Sequence, residues 1–153
     1  MLVLHEPDLF RLAVTLHTTV AEAWQTLTSP AGVARWWGDA VTLDVAVGGA
    51  LHEQWHNGER MVSTVGRVVV CQPPQVLAFT WADDDWSLVT GVSWQLRELP
   101  ATDTGQPVCE LLLEHRGWLA LPGPCRTECA ALHRQRWTTQ LERLAALHPP
   151  TAP

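Results

Sequence analysis

Between residues 10 and 16 the apolar side chains Phe10, Leu12, Val14 and Leu16 alternate with Arg11, Ala13 and Thr15, the period of two that marks a strand with one buried face. Residues 20 to 38 break that period. They predict two short helices, interrupted at Ser29-Pro30 and closed by Trp36-Trp37-Gly38. Strand-like segments then return as a meander. Val41 to Val45 is short, Gly48-Gly49 opens Ala50 to His56, and Asn57-Gly58 turns the chain into Met61 to Cys71, which Pro73-Pro74 stops. Leu77, Phe79 and Trp81 alternate on the next strand, and the acidic run Asp83-Asp84-Asp85 reads as its solvated hairpin tip. Leu88 to Leu99 follows, with Val92, Trp94 and Leu96 on one face, and then Val108 to His115. After Pro122-Gly123-Pro124 the period lengthens to 3.6, with Cys129, His133, Trp137, Leu141, Leu144 and His148 in one stripe and Arg134, Glu142 and Arg143 away from it. The order β-α-α-β, more strands, and one long last helix predicts an α+β domain whose sheet wraps a helix and leaves a cavity between them.

A chain of 153 residues suits one domain, expected over residues 1 to 153 with a core at about 8 to 147, a short lead and a Pro-rich tail. A net charge of −6, with the basic residues spread along the chain, offers no stripe for a phosphate backbone, so nucleic acid is excluded as a partner. No apolar run reaches the ~18 residues of a membrane span. The opening Met-Leu-Val-Leu-His-Glu-Pro-Asp lacks the regions of a signal peptide, and a cytoplasmic location is expected. Cys71, Cys109, Cys125 and Cys129 are accordingly expected as reduced, buried thiols. The lack of Lys, Ile and Tyr beside abundant Ala, Arg, Pro and Trp points to a GC-rich bacterial genome.

The order of elements, with Ala23-Trp24-Gln25-x-Leu27-x-x-Pro30, Trp36-Trp37, Gly48-Gly49, Gly66-x-Val68, Leu77-x-Phe79-x-Trp81, Leu111-x-Leu113-x-His115 and Trp137-x-x-x-Leu141-x-x-Leu144, resembles the START-like (SRPBCC) superfamily. Within it, the chain is similar to the bacterial branch related to the C-terminal domain of the activator of heat-shock-protein-90 ATPase. The resemblance spans about residues 8 to 147. It implies a helix-grip (START/Bet v 1-like) fold: a curved antiparallel sheet of about six or seven strands around a long C-terminal helix, with two short helices after the first strand and a deep cavity beneath the last. Such folds host carriers, cyclases and receptors alike, so function has to come from the site.

Nine tryptophans supply an independent argument for a cavity. Trp55, Trp81 and Trp94 fall on inward strand faces, Trp137 on the helix stripe, and Trp36 and Trp37 at the rim. Large rigid rings line binding sites at low entropic cost, and they also fill cores. His52-Glu53-Gln54-Trp55-His56 matches the zinc-protease pattern H-E-x-x-H, which works only on a helix. Between Gly48-Gly49 and Asn57-Gly58 the segment reads as a strand, where the two His lie roughly 13 Å apart and share no ion. That register puts Glu53 on the face of Leu51 and Trp55, towards the cavity, with His115 and His133 as its expected partners. The alternative is Glu53 near water and each His in a structural hydrogen bond. Cys125, Cys129 and His133 follow one another at helical spacing, but the outer two are about 12 Å apart and close no ligand set. No cofactor or metal is expected, and neither a phosphate loop nor a nucleophile elbow is present.

The expected function is binding of a small apolar or aromatic molecule by Trp36, Trp37, Glu53, Trp55, Phe79, Trp81, Trp94, His115, His133 and Trp137, in a monomer or homodimer. Two alternatives stay open. One is a polyketide cyclase or dehydratase-like enzyme using Glu53 or His115 as acid or base, and the other is a co-chaperone-like interaction module.

Overall fold

The computed structural model describes residues 1 to 152. Its elements are β1 (Leu2–His5), β2 (Leu9–Leu16), α1 (Val20–Thr28), α2 (Pro30–Trp36), β3 (Val41–Leu43), β4 (Ala50–Asn57), β5 (Arg60–Gln72), β6 (Val76–Asp83), β7 (Thr90–Leu99), β8 (Val108–Arg116) and α3 (Gly123–Leu147), with a single 3-10 turn at Trp118–Ala120. The strands form one antiparallel sheet in the order β1-β2-β8-β7-β6-β5-β4-β3. The result is the α+β helix-grip arrangement, with α3 lying across the sheet. One more strand is present than the pattern predicted. β1 is exposed at all four positions, so it carries no alternation to read, and it is held by backbone pairing to β2.

Local chemistry explains the helix pair. Thr19 caps α1 by accepting the Glu22 N–H at 3.1 Å. Ser29 ends α1 and caps α2, accepting the Gly32 N–H at 3.1 Å, and Pro30 takes the first turn, where no N–H is needed. α1 buries Ala23, Trp24 and Leu27, while α2 buries Val33 and Trp36, whose indole N–H bonds the Leu27 carbonyl at 3.3 Å. On the sheet, a Cβ at Gly66 would stand 1.9 Å from the Thr80 carbonyl oxygen, so only glycine lets β5 and β6 approach this closely before the bulge at Val68/Val70.

Two features of the fold differ from the sequence expectation. Asp83 is not a solvated hairpin tip. It ends β6 facing inward, 6% exposed, and accepts the Thr64 hydroxyl at 2.7 Å; Asp84 instead takes the exposed role, bound by Arg60 and the Ser63 N–H. Second, Cys125 and Cys129 are joined in a disulfide, whereas Cys71 and Cys109 are free. One helical turn brings the two α-carbons within 5.6 Å, inside the span a disulfide bridges.

Candidate functional site

The inner face of the sheet is packed with indoles. Trp36, Trp81, Trp94 and Trp137 are at most 1% exposed, and Phe79 joins them. Trp36 and Trp94 meet edge to face at 5.4 Å, Phe79 and Trp94 at 5.3 Å, and Trp81 lies 5.3 Å from Trp137. Such geometries suit the ring quadrupoles. The space expected as a deep hollow is therefore occupied by these rings. The open cleft lies at its mouth, has a volume of about 800 Å³, and runs between the α2–β3 loop, β4 and α3. Of the sequence-predicted residues it brings together Trp37, Glu53 and Trp55; the other seven do not line it.

Strand alternation positions Glu53. Leu51, Glu53 and Trp55 share the inward face of β4, and His52 and His56 lie on the other, so H-E-x-x-H is a strand sequence here. His52 bonds the Ser63 hydroxyl at 3.0 Å, and His56 is exposed. The partners of Glu53 are not the two histidines expected from the sequence. Its Oε2 accepts the Trp37 indole N–H at 3.1 Å and the Arg136 guanidinium at 2.9 Å, and Arg136 lies over the Trp55 ring at 3.7 Å. Burial pushes the Glu53 carboxyl above its ordinary value, against the pull of Arg136 and the Trp37 hydrogen bond. Its Oε1 has no hydrogen-bond partner among the described residues.

The apolar stripe of α3 does not single out Arg136. A second stripe one position over, Leu132, Gln135, Arg136, Thr139, Gln140 and Arg143, lines the cleft at intervals of three and four. Arg136 follows His133 by three residues, so a buried acid on the facing strand could have been matched to it.

His133 and His115 sit deeper. His133 Nδ1 is 2.8 Å from the Cys129 carbonyl, which can only accept, so this nitrogen carries a proton. Its Nε2 stands 3.0 Å from Asp83 Oδ2, a contact that is an ion pair only when the ring is protonated. From Asp83 the network continues through Thr64 to the Trp55 N–H at 2.9 Å. His115 accepts the Trp137 indole N–H at Nδ1 (3.2 Å) and meets the Thr90 hydroxyl at Nε2 (2.7 Å). With both ring nitrogens engaged and the residue fully buried, His115 is a structural group, and burial holds its pKa well below the usual histidine range.

Against known proteins, the chain shares its fold with a protein from Rhodobacter sphaeroides (TM-score 0.70, 21% identity, 95% of this chain and 96% of that one). It is similar also to the Aha1 dimer from Colwellia psychrerythraea (TM-score 0.67, 17% identity, 88% and 91%). A third is DynU16, a protein of the dynemicin biosynthetic locus (TM-score 0.67, 22% identity, 91% of this chain and 46% of that one). No curated protein matches the sequence. A family model matches residues 17–148, so the chain belongs to the Activator of Hsp90 ATPase homolog 1-like family.

Proposed function

We propose that this protein binds a small molecule with an aromatic or apolar body between the sheet and α3, entering by the cleft at Trp37, Glu53, Trp55 and Arg136. The observation that carries the reading is the buried carboxylate of Glu53, with one oxygen satisfied and the other unpartnered, at an open cleft walled by two indoles and a stacked guanidinium. Binding sites combine apolar walls with a few placed polar groups, and this is such a set. Phe79, Trp81, Trp94, Trp36 and Trp137 form the apolar wall behind it, while His133 and His115 brace that wall. The place of DynU16 in a biosynthetic locus is in keeping with a small-molecule role. No helix among the described residues is long and apolar enough to cross a membrane.

The test is native mass spectrometry of gently purified protein, followed by a tryptophan-fluorescence screen of aromatic and lipid-like compounds. A co-purifying mass, or a saturable quench that Glu53→Gln weakens, supports the reading; an empty protein that no compound quenches rejects it. One observation favours a catalytic variant of the same site. Burial raises the pKa of Glu53 above the ordinary carboxyl value, the direction in which a general acid or base is tuned. Were it so, turnover of a bound ligand would lose its ionisation in Glu53→Gln, whereas turnover with an unchanged pH profile would exclude this role.

A further inference from the structure

Trp37 sits within the aromatic cluster as a guest sits in a host. Its ring is stacked against Trp81 (6.2 Å, 11°) and Phe79 (6.2 Å, 27°), meets Trp94 edge to face at 5.7 Å, and lies 5.1 Å from Trp137. Its one polar atom, the indole N–H, is anchored on Glu53 Oε2. Every wall of this enclosure belongs to a regular element: Phe79 and Trp81 to β6, Trp94 to β7, Trp137 to α3 and Glu53 to β4. Trp37 alone comes from the cap that ends α2, and the next residue, Gly38, has φ +146° with nothing within 4 Å of where a Cβ would be. Among these rings Trp37 is also the one that lines the cleft, whose volume of about 800 Å³ exceeds what a displaced indole needs. The enclosure is not fully satisfied by this occupant. Glu53 Oε1 and the indole N–H groups of Trp81 and Trp94 have no hydrogen-bond partner among the described residues: Trp37 gives its one donor to Oε2, so it has no second donor for Oε1 and no acceptor for the two N–H groups.

We infer that Trp37 is an internal stand-in for the ligand, and that the site takes a flat bicyclic aromatic molecule bearing an N–H or O–H donor, which displaces the Trp37 ring into the cleft and takes its place on Glu53. The inference rests on the small-molecule reading above and adds to it the ligand's chemistry and the route of entry. Trp37 then competes with every ligand, so apparent affinity is lowered by the fraction of molecules in which the ring is seated.

The probes are indole, 5-hydroxyindole and 1-methylindole, the last lacking the donor. Trp37→Phe keeps an aromatic occupant but deletes its anchor, and Trp37→Ala empties the enclosure. Titrated calorimetrically, both variants should bind indole more tightly than the wild type does, and Trp37→Ala should prefer indole over 1-methylindole by about tenfold, the worth of one buried hydrogen bond. Adding Glu53→Gln to Trp37→Ala should reduce that preference. If Trp37→Ala fails to fold, Trp37→Phe and the wild type still decide the matter by NMR. On saturation of the wild type with 5-hydroxyindole, the Trp37 indole N–H should lose its protection from solvent exchange while that of Trp137 keeps its own. A wild type that binds aromatic compounds with the Trp37 N–H still protected would overturn the displacement and leave cleft binding standing. Equal binding of indole and 1-methylindole by Trp37→Ala would overturn the donor requirement. If neither wild type nor variant binds any aromatic compound, both readings fall.

Discussion

His115 should make the protein acid-sensitive by an amount that its surroundings fix. Because an indole N–H only donates, the Trp137 bond makes Nδ1 the acceptor and leaves the proton on Nε2, which gives it to the Thr90 hydroxyl; that hydroxyl in turn donates to the Trp81 carbonyl at 3.1 Å. The ring is therefore held neutral. Burial, and after it the charge of the facing His133, keeps its pKa well below the ordinary value. In the unfolded chain the same group titrates near ~6.5, so below that pH the unfolded state binds a proton that the native state refuses. Stability from this group is intact above the unfolded value and falls on acidification, by about 1.4 kcal/mol per pH unit. Between pH 7 and pH 5 the loss comes to about 2 kcal/mol. Glu53 acts with the opposite sign, since its raised pKa makes the native state take up a proton sooner on acidification, and Asp83 and His133 lie nearby. A wild-type curve alone is thus a sum. Urea unfolding of wild type and His115→Gln at pH 7, 6 and 5 separates the term, because the other groups are common to both proteins. The two curves should converge towards acid by about 2 kcal/mol. Parallel curves would show that His115 takes up its proton in the folded protein as readily as in the unfolded chain, which would refute a ring held neutral by burial.

Three further outcomes follow from named contacts. Trp137→Ala should cost about 3–5 kcal/mol in urea unfolding, because that ring is 1% exposed among other rings; near-wild-type stability would mean it borders open space. Arg136→Met strands the Glu53 carboxylate in a buried place and should cost about 3–5 kcal/mol at neutral pH. The cost should shrink as the pH drops and Glu53 protonates, and a pH-independent loss would assign it to the Trp55 stacking instead. Gly66→Ala should unfold or badly weaken the β5–β6 pairing, visible as loss of the cooperative thermal transition, because its Cβ would fall 1.9 Å from a backbone oxygen that cannot move away alone.

The fold was legible where one face of an element is buried and the other is not. Alternation at Phe10 to Leu16 and at Leu77 to Trp81, and the stripe through His133, Trp137, Leu141 and Leu144, all reappear as buried positions. β1 was illegible for the same reason reversed: Leu2, Val3 and Leu4 are apolar but exposed, and backbone pairing to β2 leaves no side-chain pattern. The inward aim of Glu53 also followed from alternation, since Leu51 and Trp55 fixed the register.

What answers Glu53 was beyond that logic. Partner choice depends on how far α3 is rotated over the sheet, which sets Arg136 against Glu53 and His133 against Asp83. The apolar stripe centres the helix but does not say what stands at its edge, where long side chains reach inward while their bases remain outside. Asp83 looked like one of three solvated acids, yet it continues the Leu77, Phe79 and Trp81 alternation to the last residue of β6 and so faces inward. Cross-strand register could have narrowed both. Glu53 pairs with Thr64, and Thr64 with Asp83, so the two buried acids lie in one row across β4, β5 and β6, under a helix whose His133 and Arg136 are three residues apart. Both acids find a nitrogen partner on one turn of α3, Asp83 beside His133 and Glu53 beside Arg136. The row is where the apolar enclosure of Trp37 gives way to the cleft, and so the polar groups of this molecule stand at the entrance to its tryptophan core.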